Sequence, residues 1–345
     1  MLVGFAGESI PDEVRWLCQE TIPAGFILFS RNITEPAQVR ELNRELTSLL
    51  PQSHPPILSL DQEGGRVQRL SGTAWPPAQW VGNMNHPPTT TRMAHAMGRE
   101  LHAAGFTTTW APVADVVRNA GRDFIGDRSF GSTADRVTRH VTAVLNGLAQ
   151  AGVTGCVKHF PGHGATTTDS HAALPAIELE RPELEEVDLH PFRSAIDANV
   201  GLIMLAHAMF PAWDEDRPAS LSHRIATGVL RQQLHYDGVI VTDDLGMKGL
   251  SAWSFEERVH HAVHAGADLL LMCHSAAEQF SAYEQLIHIQ ESDPAWDRAF
   301  LDASKNVMRF RETHWRDRPL QPPLNTIGCR AHVDLARDIA ARGAE

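Results

Sequence analysis

The chain has 345 residues, of which 43% are hydrophobic and 21% charged, an ordinary composition for a soluble globular protein with a sizeable core. Its formal net charge of −12 opposes binding to nucleic acid or to an acidic membrane face, and no Lys/Arg cluster offers a local exception. No apolar run approaches the roughly 20 residues that a membrane-spanning helix requires.

Short apolar runs punctuate the chain. The first, at 2–5, is followed by a second at 25–29, after which Thr34 is placed to cap a helix with Val39, Leu42, Leu46 and Leu49 on one face. A third run lies at 56–60. Leu101 then closes another apolar helical face, and Gly105 separates it from the fourth run at 107–111. Thr133 precedes Val137, Val141, Val144 and Leu148, and Gly152 stops that helix just before the fifth run at 153–157. Segment 183–198 reads as helical, with a kink or break at Pro191. Runs at 201–206, 238–242 and 268–272 complete the set. The segment from about 318 to 324 is Pro-rich, and a last helix at about 331–341 is expected to pack outside.

Eight apolar runs alternating with helices predict a parallel sheet with right-handed crossovers, closed as a (β/α)8 TIM-type barrel. No GxGxxG follows the first run, which weighs against a dinucleotide-binding sheet. No linker sets off a second domain, so residues 1–345 are expected to form one catalytic barrel with a helical tail from about 318. The four cysteines, Cys18, Cys156, Cys273 and Cys329, are far apart and lack CxxC spacing. They read as free thiols of a reducing compartment. The first residues have neither the basic nor the long apolar segment of a signal peptide. A cytoplasmic monomer with no membrane or nucleic-acid partner is therefore expected.

Barrels of this type place their chemistry at the C-terminal ends of the strands. The residues there are informative. Run 56–60 leads into Asp61-Gln62-Glu63-Gly64-Gly65-Arg66, with Arg69 close behind. Run 107–111 leads to Pro112, Asp115 and then Gly126-Asp127-Arg128-Ser129-Phe130-Gly131. Run 153–157 leads to Lys158-His159-Phe160-Pro161-Gly162-His163-Gly164 and Asp169-Ser170-His171. Run 201–206 leads to His207, and run 238–242 to Asp243-Asp244-Leu245-Gly246-Met247. One such Asp is often only a helix cap, and one such Gly only a turn. Polar groups at five strand ends together indicate a site.

His159 and His163 have the i, i+4 spacing of a helical zinc site, but Pro161 and Gly162 lie between them, so no metal is expected. What remains is carboxylate chemistry on a polyhydroxylated ligand, needing no cofactor. Spacing alone does not choose between Asp61 and Asp243 as nucleophile. Alternation at a strand end predicts that only one of Asp243 and Asp244 faces the barrel mouth.

These motifs resemble those of the bacterial NagZ-type β-N-acetylglucosaminidases (β-hexosaminidases) of glycoside hydrolase family 3, from residue 3 to about residue 272. The segments that carry the resemblance are Lys158–Gly164 with Asp169-Ser170-His171, Thr242–Met247, Ser59–Gly65, Gly126–Gly131 and Pro218-Ala219-Ser220-Leu221-Ser222. The resemblance implies that Asp243 is the nucleophile and that His171, paired with Asp169 on a loop, is the acid/base. It implies that Asp61, Arg69, Arg128, Lys158 and His159 bind the sugar, a terminal N-acetylglucosamine β-linked to a glycoside or muropeptide. A histidine, with an ordinary pKa near 6.5, gives and takes protons near neutrality without a large shift. Residue 165 is Ala where many members carry Asp, which predicts altered loop packing without loss of activity. Two alternatives remain: a phosphorylase using the same dyad with phosphate as acceptor, and an inactive sugar-binding protein.

Overall fold

The computed structural model describes residues 1–118, 124–166 and 174–344, apart from the side chain of Ala295. Each apolar run forms a strand: β1 (Leu2–Val3), β2 (Gly25–Leu28), β3 (Ile57–Leu60), β6 (Thr108–Thr109), β7 (Thr154–Phe160), β8 (Leu202–Leu205), β9 (Val239–Asp244) and β10 (Leu269–Met272). They close a parallel barrel in the order β1-β10-β9-β8-β7-β6-β3-β2. Two further strands, β4 (Gln62–Gly64) and β5 (Val67–Gln68), form a small antiparallel hairpin on the rim. No hydrophobic alternation announces it.

The strands lack polar alternation because both of their faces are buried. Leu2, Ile27, Ile57, Trp110, Met204 and Leu271 belong to one cluster inside the barrel. Val3, Phe26, Leu58, Val157 and Ile203 point outward into a larger cluster with the surrounding helices. Burying such side chains contributes about 1.5–3 kcal/mol each, which drives closure.

The helix expected after Thr34 spans Pro36–Ser48 and buries Val39, Leu42 and Leu46. Glu35, not Thr34, occupies its cap position, because Pro36 needs no N–H partner and presets the first turn. The Thr34 hydroxyl turns instead to Gln38 Oε1 at 3.3 Å. Helix Ala134–Gln150 begins after Thr133, and Gly152 follows it with φ of +79°. The interruption at Pro191 takes the form of a widened π-type turn over Leu184–Asp188, after which helix His190–Asp197 starts with Pro191 in its first turn.

Helix Pro294–Trp315 is followed by an extended stretch and helix Arg330–Gly343. That last helix packs against helices Ala78–Asn83 and Pro87–Ala103, where the Asn83 amide donates to Gly343 O at 3.2 Å. Helix Ala78–Asn83 in turn lies directly against the rim, since a Cβ on Gly82 would come within 1.8 Å of Phe130 O. All four cysteines are unpaired, with Cys329 only half-buried. Among the described residues no helix is long and apolar enough to cross a membrane.

Candidate active site

At the C-terminal end of the barrel a cleft of about 300 Å³ is lined by Asp61, Arg69, Arg128, Lys158, His159 and Asp243. A volume at the small end of ligand sites suits a single sugar residue. Of the residues expected at the site, these six come together. Asp169 and His171 lie outside the described residues.

Two β-bulges shape the cleft. Val157 pairs with Ile203 and Phe160 with Leu205, so β7 has one residue more than β8 over this stretch. Val241 pairs with Leu269 and Asp244 with Leu271, giving β9 the same excess over β10. A bulge breaks the alternation of side chains. Consecutive residues Lys158 and His159 therefore both line the cleft, as do Asp243 and Asp244. This corrects the expectation that only one of the two aspartates faces the mouth. Asp244 is nonetheless engaged by backbone: its Oδ1 accepts from Gly246 N at 3.2 Å and from Cys273 N at 3.1 Å.

One wall is an alternating ionic array. Lys158 Nζ lies 2.8 Å from Asp61 Oδ1 and 2.7 Å from Glu63 Oε1. Arg128 binds Glu63 in bidentate fashion, with both contacts at 2.8 Å. Arg69 is looser, 3.8 Å from Asp61 Oδ2, and its Nε has no hydrogen-bond partner among the described residues. Burial alone pushes the Glu63 carboxyl up, but the charges and hydrogen bonds of Arg128 and Lys158 outweigh it and hold Glu63 far below the usual carboxylate range. Burial likewise opposes the charges on Lys158 and Arg128, and their carboxylate partners raise both pKa values above normal. The array thus presents fixed, charged donors and acceptors to ligand hydroxyl and carbonyl groups.

The rim hairpin fixes this wall. Gln62 Oε1 accepts from Arg69 N at 2.9 Å and from Leu70 N at 3.0 Å, which sets the direction in which Arg69 leaves the backbone. Glu63, on the same hairpin, emerges as the partner of two ligand-facing cations. The acidic run Asp61-Gln62-Glu63 is its sequence signal.

Asp115 organises the second wall from below. Its Oδ2 lies 2.8 Å from His159 Nδ1, while Oδ1 accepts from His159 N at 3.1 Å and His163 N at 2.7 Å. Burial raises the Asp115 pKa, but His159 and His163 bring it below the ordinary value. His163 is pushed down to about 4 by burial and by His159, so it is neutral at physiological pH. Gly164 follows in a turn so close that a Cβ there would meet Val116 O at 2.0 Å. Ala165 beside it is partly buried against the apolar core. Among the described residues no three His, Cys, Asp or Glu side chains are grouped as a metal would require.

Asp243 stands directly across the barrel from Asp61, four strands away in either direction. Burial works against its charge. His207, His159, the Asp244 N–H and Lys158 together outweigh that penalty and lower its pKa, so it is ionised at neutral pH. Its Oδ1 accepts from Asp244 N at 2.8 Å. His207, fully buried at the end of β8, contacts Ser220 Oγ at 2.7 Å and Asp244 O at 2.9 Å. An ionised carboxylate facing an array that can grip a sugar is a constellation for attack at an anomeric carbon.

Known proteins are similar to this chain in sequence and architecture. Residues 6–308 match the glycosyl hydrolase family 3 N-terminal domain. A beta-hexosaminidase of Thiobacillus denitrificans is 36% identical over 282 residues, covering 79% of this chain and 77% of that protein. The structure of a glycoside hydrolase family 3 beta-N-acetylglucosaminidase from Paenibacillus sp. superposes with a TM-score of 0.93 at 36% identity, over 99% of this chain and 67% of that one. NagZ from Neisseria gonorrhoeae, in complex with N-trifluoroacetyl-D-glucosamine, superposes with a TM-score of 0.79 at 26% identity, over 100% of this chain and 98% of that one.

Proposed function

The chain belongs to glycoside hydrolase family 3, and on that premise we propose that it is a retaining exo-β-N-acetylglucosaminidase with Asp243 as nucleophile and the His171/Asp169 pair as acid/base. The observation that carries this reading is the ionised Asp243 set across a one-sugar cleft from the Asp61–Lys158–Glu63–Arg128 array. The relatives named beta-hexosaminidase and beta-N-acetylglucosaminidase support the choice of sugar.

In this reading Asp61, Arg69, Arg128, Lys158 and His159 hold the terminal sugar. Asp243 attacks the anomeric carbon while His171 protonates the departing oxygen, giving a covalent glycosyl-enzyme through an oxocarbenium-like transition state. His171 then takes a proton from water, which displaces Asp243 and releases the sugar with its configuration retained. We extend the proposal to N-acetylglucosamine linked to (anhydro)muramic acid, turned over in the cytoplasm during cell-wall recycling.

Release of nitrophenol from 4-nitrophenyl N-acetyl-β-glucosaminide, with and without phosphate and EDTA, tests the reaction. Free N-acetylglucosamine is expected in every condition. Formation of the sugar 1-phosphate would replace the hydrolase with a phosphorylase, and binding without release would leave a sugar-binding protein. Removal of N-acetylglucosamine from a purified muropeptide, followed by mass spectrometry, tests the natural aglycone.

The proton donor has its own signature. His171→Ala is expected to slow glycosides with poor leaving groups roughly 10²–10⁴-fold, the usual contribution of general acid catalysis. The nitrophenyl glycoside, whose leaving group hardly needs a proton, should lose far less in its glycosylation step. Equal slowing of both substrates would count against His171. If His159→Ala alone discriminates between leaving groups, the His159–Asp115 contact of 2.8 Å marks the acid/base instead.

A further inference from the structure

Ser220 and His207 have no part in the reaction just described, yet both are fully buried, and His207 is close enough to Asp243 to act on its charge. The backbone fixes Ser220 in place: Ala219 N donates to Ala208 O at 2.9 Å and Ser220 N to Ala206 O at 3.1 Å. The serine hydroxyl thereby comes within 2.7 Å of His207 Nδ1, while His207 Nε2 lies 2.9 Å from Asp244 O.

A carbonyl oxygen can only accept a hydrogen bond, so Nε2 must carry the proton. Burial keeps His207 below its ordinary pKa, and in the neutral ring Nδ1 is then an acceptor. The Ser220 hydroxyl must donate to it. The chain of donation runs Ser220 Oγ–H to His207 Nδ1, then His207 Nε2–H to Asp244 O. The far side of residue 244 is held by Gly246 N and Cys273 N on its carboxylate. Residue 244 is thus fixed through both its carbonyl and its side chain, and its N–H is aimed at Asp243 Oδ1 at 2.8 Å.

We propose that Ser220 and His207 are positioning residues that, by anchoring the backbone of residue 244 at its carbonyl, hold the Asp243 carboxylate in its attacking orientation and stabilise its charged form. This rests on the reading of Asp243 as nucleophile. Oδ1 is occupied by the Asp244 N–H, which leaves Oδ2 as the attacking oxygen. The groups facing Asp243 are Cys156, Lys158 and His159 of β7, His163 beyond it, His207 after β8 and Cys273 after β10. Asp244 and Arg258 complete the charged surroundings of His207. Of these groups, Asp244 supplies the N–H on Asp243 Oδ1 and is also the residue whose carbonyl His207 holds.

Without the serine donor, Nδ1 is left as a buried acceptor with no partner, and the ring turns away to satisfy it, which breaks the Nε2–H bond to Asp244 O. Residue 244 loses its anchor at the carbonyl, its backbone shifts, and the Asp243 carboxylate loses the hydrogen bond from the Asp244 N–H to its charged form. Losing that bond raises its pKa, so the acid limb of kcat/KM must move to higher pH.

The test compares wild type, Ser220→Ala and Ser220→Thr on 4-nitrophenyl N-acetyl-β-glucosaminide across pH. Ser220→Ala should lower kcat roughly ten- to a hundredfold with little change in KM, as misplacement of a reacting group does. Its acid limb should rise by roughly 0.4–1 pH unit, the equivalent of one lost hydrogen bond. Ser220→Thr, which keeps the hydroxyl donor, should restore most of both. An unmoved acid limb in Ser220→Ala overturns the proposal, whether kcat holds or falls with thermal stability, because the role would then be absent or merely structural. Labelling of wild type with 5-fluoro-N-acetylglucosaminyl fluoride, followed by peptide mapping, separates the two layers. A label on Asp243 with an unmoved limb sinks only the relay, and a label on another residue sinks the nucleophile reading and the relay with it.

Discussion

Asp243→Ala is expected to lower turnover of 4-nitrophenyl N-acetyl-β-glucosaminide by on the order of 10⁴-fold or more, the scale on which removal of a catalytic nucleophile is felt. Sodium azide is expected to restore part of it as the α-glycosyl azide. Asp243 is held ionised across the barrel from the array proposed to grip the sugar, and replacing it with Ala opens a space the size of a small anion on the α face. Azide entering there inverts the β-configured centre. Because the 4-nitrophenyl group leaves without protonation, the defect measured is that of the nucleophile. Recovery of the β-azide would point to attack by the substrate's own acetamido group, which passes through a ring intermediate that azide opens with net retention. Substantial turnover without azide would remove Asp243 from the reaction. The fold should survive the substitution. The depressed Asp243 pKa means that its charge contributes stability above the ordinary carboxylate range, a contribution lost only as pH falls through the folded value. The single carboxylate makes one backbone hydrogen bond among the described residues, so the melting temperature should shift by only a few degrees.

Much of this molecule is legible before its structure is consulted. The eight apolar runs fall on the eight barrel strands because a parallel strand covered on both faces has no polar alternation to obscure it. Six polar residues placed by strand-end reasoning and motif resemblance line one cleft. What the sequence hides is set by local geometry. Strict alternation predicts opposite faces for Asp243 and Asp244, and equally for Lys158 and His159. A one-residue bulge in β9 and another in β7 cancel that rule, and nothing in residue type announces a bulge. The hairpin of β4 and β5 is invisible for a related reason, since strands of three and two residues carry no periodicity. Glu63 and Asp115 are visible as acidic residues at strand ends. Their importance lies in which cations they meet, and those partners are tens of residues distant in the chain: 65 for Glu63–Arg128 and 44 for Asp115–His159. Tertiary pairing of that kind has no local signature.

The second large effect follows from the array itself. Lys158→Met is expected to lower kcat/KM by roughly 10²-fold or more, the worth of the charge-assisted hydrogen bond proposed between Lys158 and a sugar hydroxyl together with the loss of the partner that anchors Asp61. It is also expected to destabilise the fold by about 3–5 kcal/mol, as breaking a buried ion pair from one side does. For a chain of this length that is a drop of roughly 4–7 °C in melting temperature. The cost arises because Lys158, whose side chain is 4% exposed, is the shared partner of two carboxylates, at 2.8 Å from Asp61 and 2.7 Å from Glu63. Methionine fills the same space without the charge. Among the described residues Glu63 then keeps only the ion pair with Arg128, and Asp61 only the 3.8 Å contact with Arg69. The pH dependence distinguishes this account from simple mispacking. Glu63 has a depressed folded pKa, so its share of stability is present above the ordinary carboxylate range and is lost as pH falls through the folded value. Lys158 has a raised one, so its share is present below the ordinary lysine range and is lost as pH rises through the folded value. Between roughly pH 5 and 9 both contributions are complete, and the stability deficit of Lys158→Met should be constant there. It should narrow at the acid end as the carboxylates protonate and cease to need a cation. Thermal unfolding of wild type and variant from pH 3 to 9 reads this directly. A deficit that stays constant down to pH 3 would mean that the lysine stem, and not its charge, is what the barrel loses.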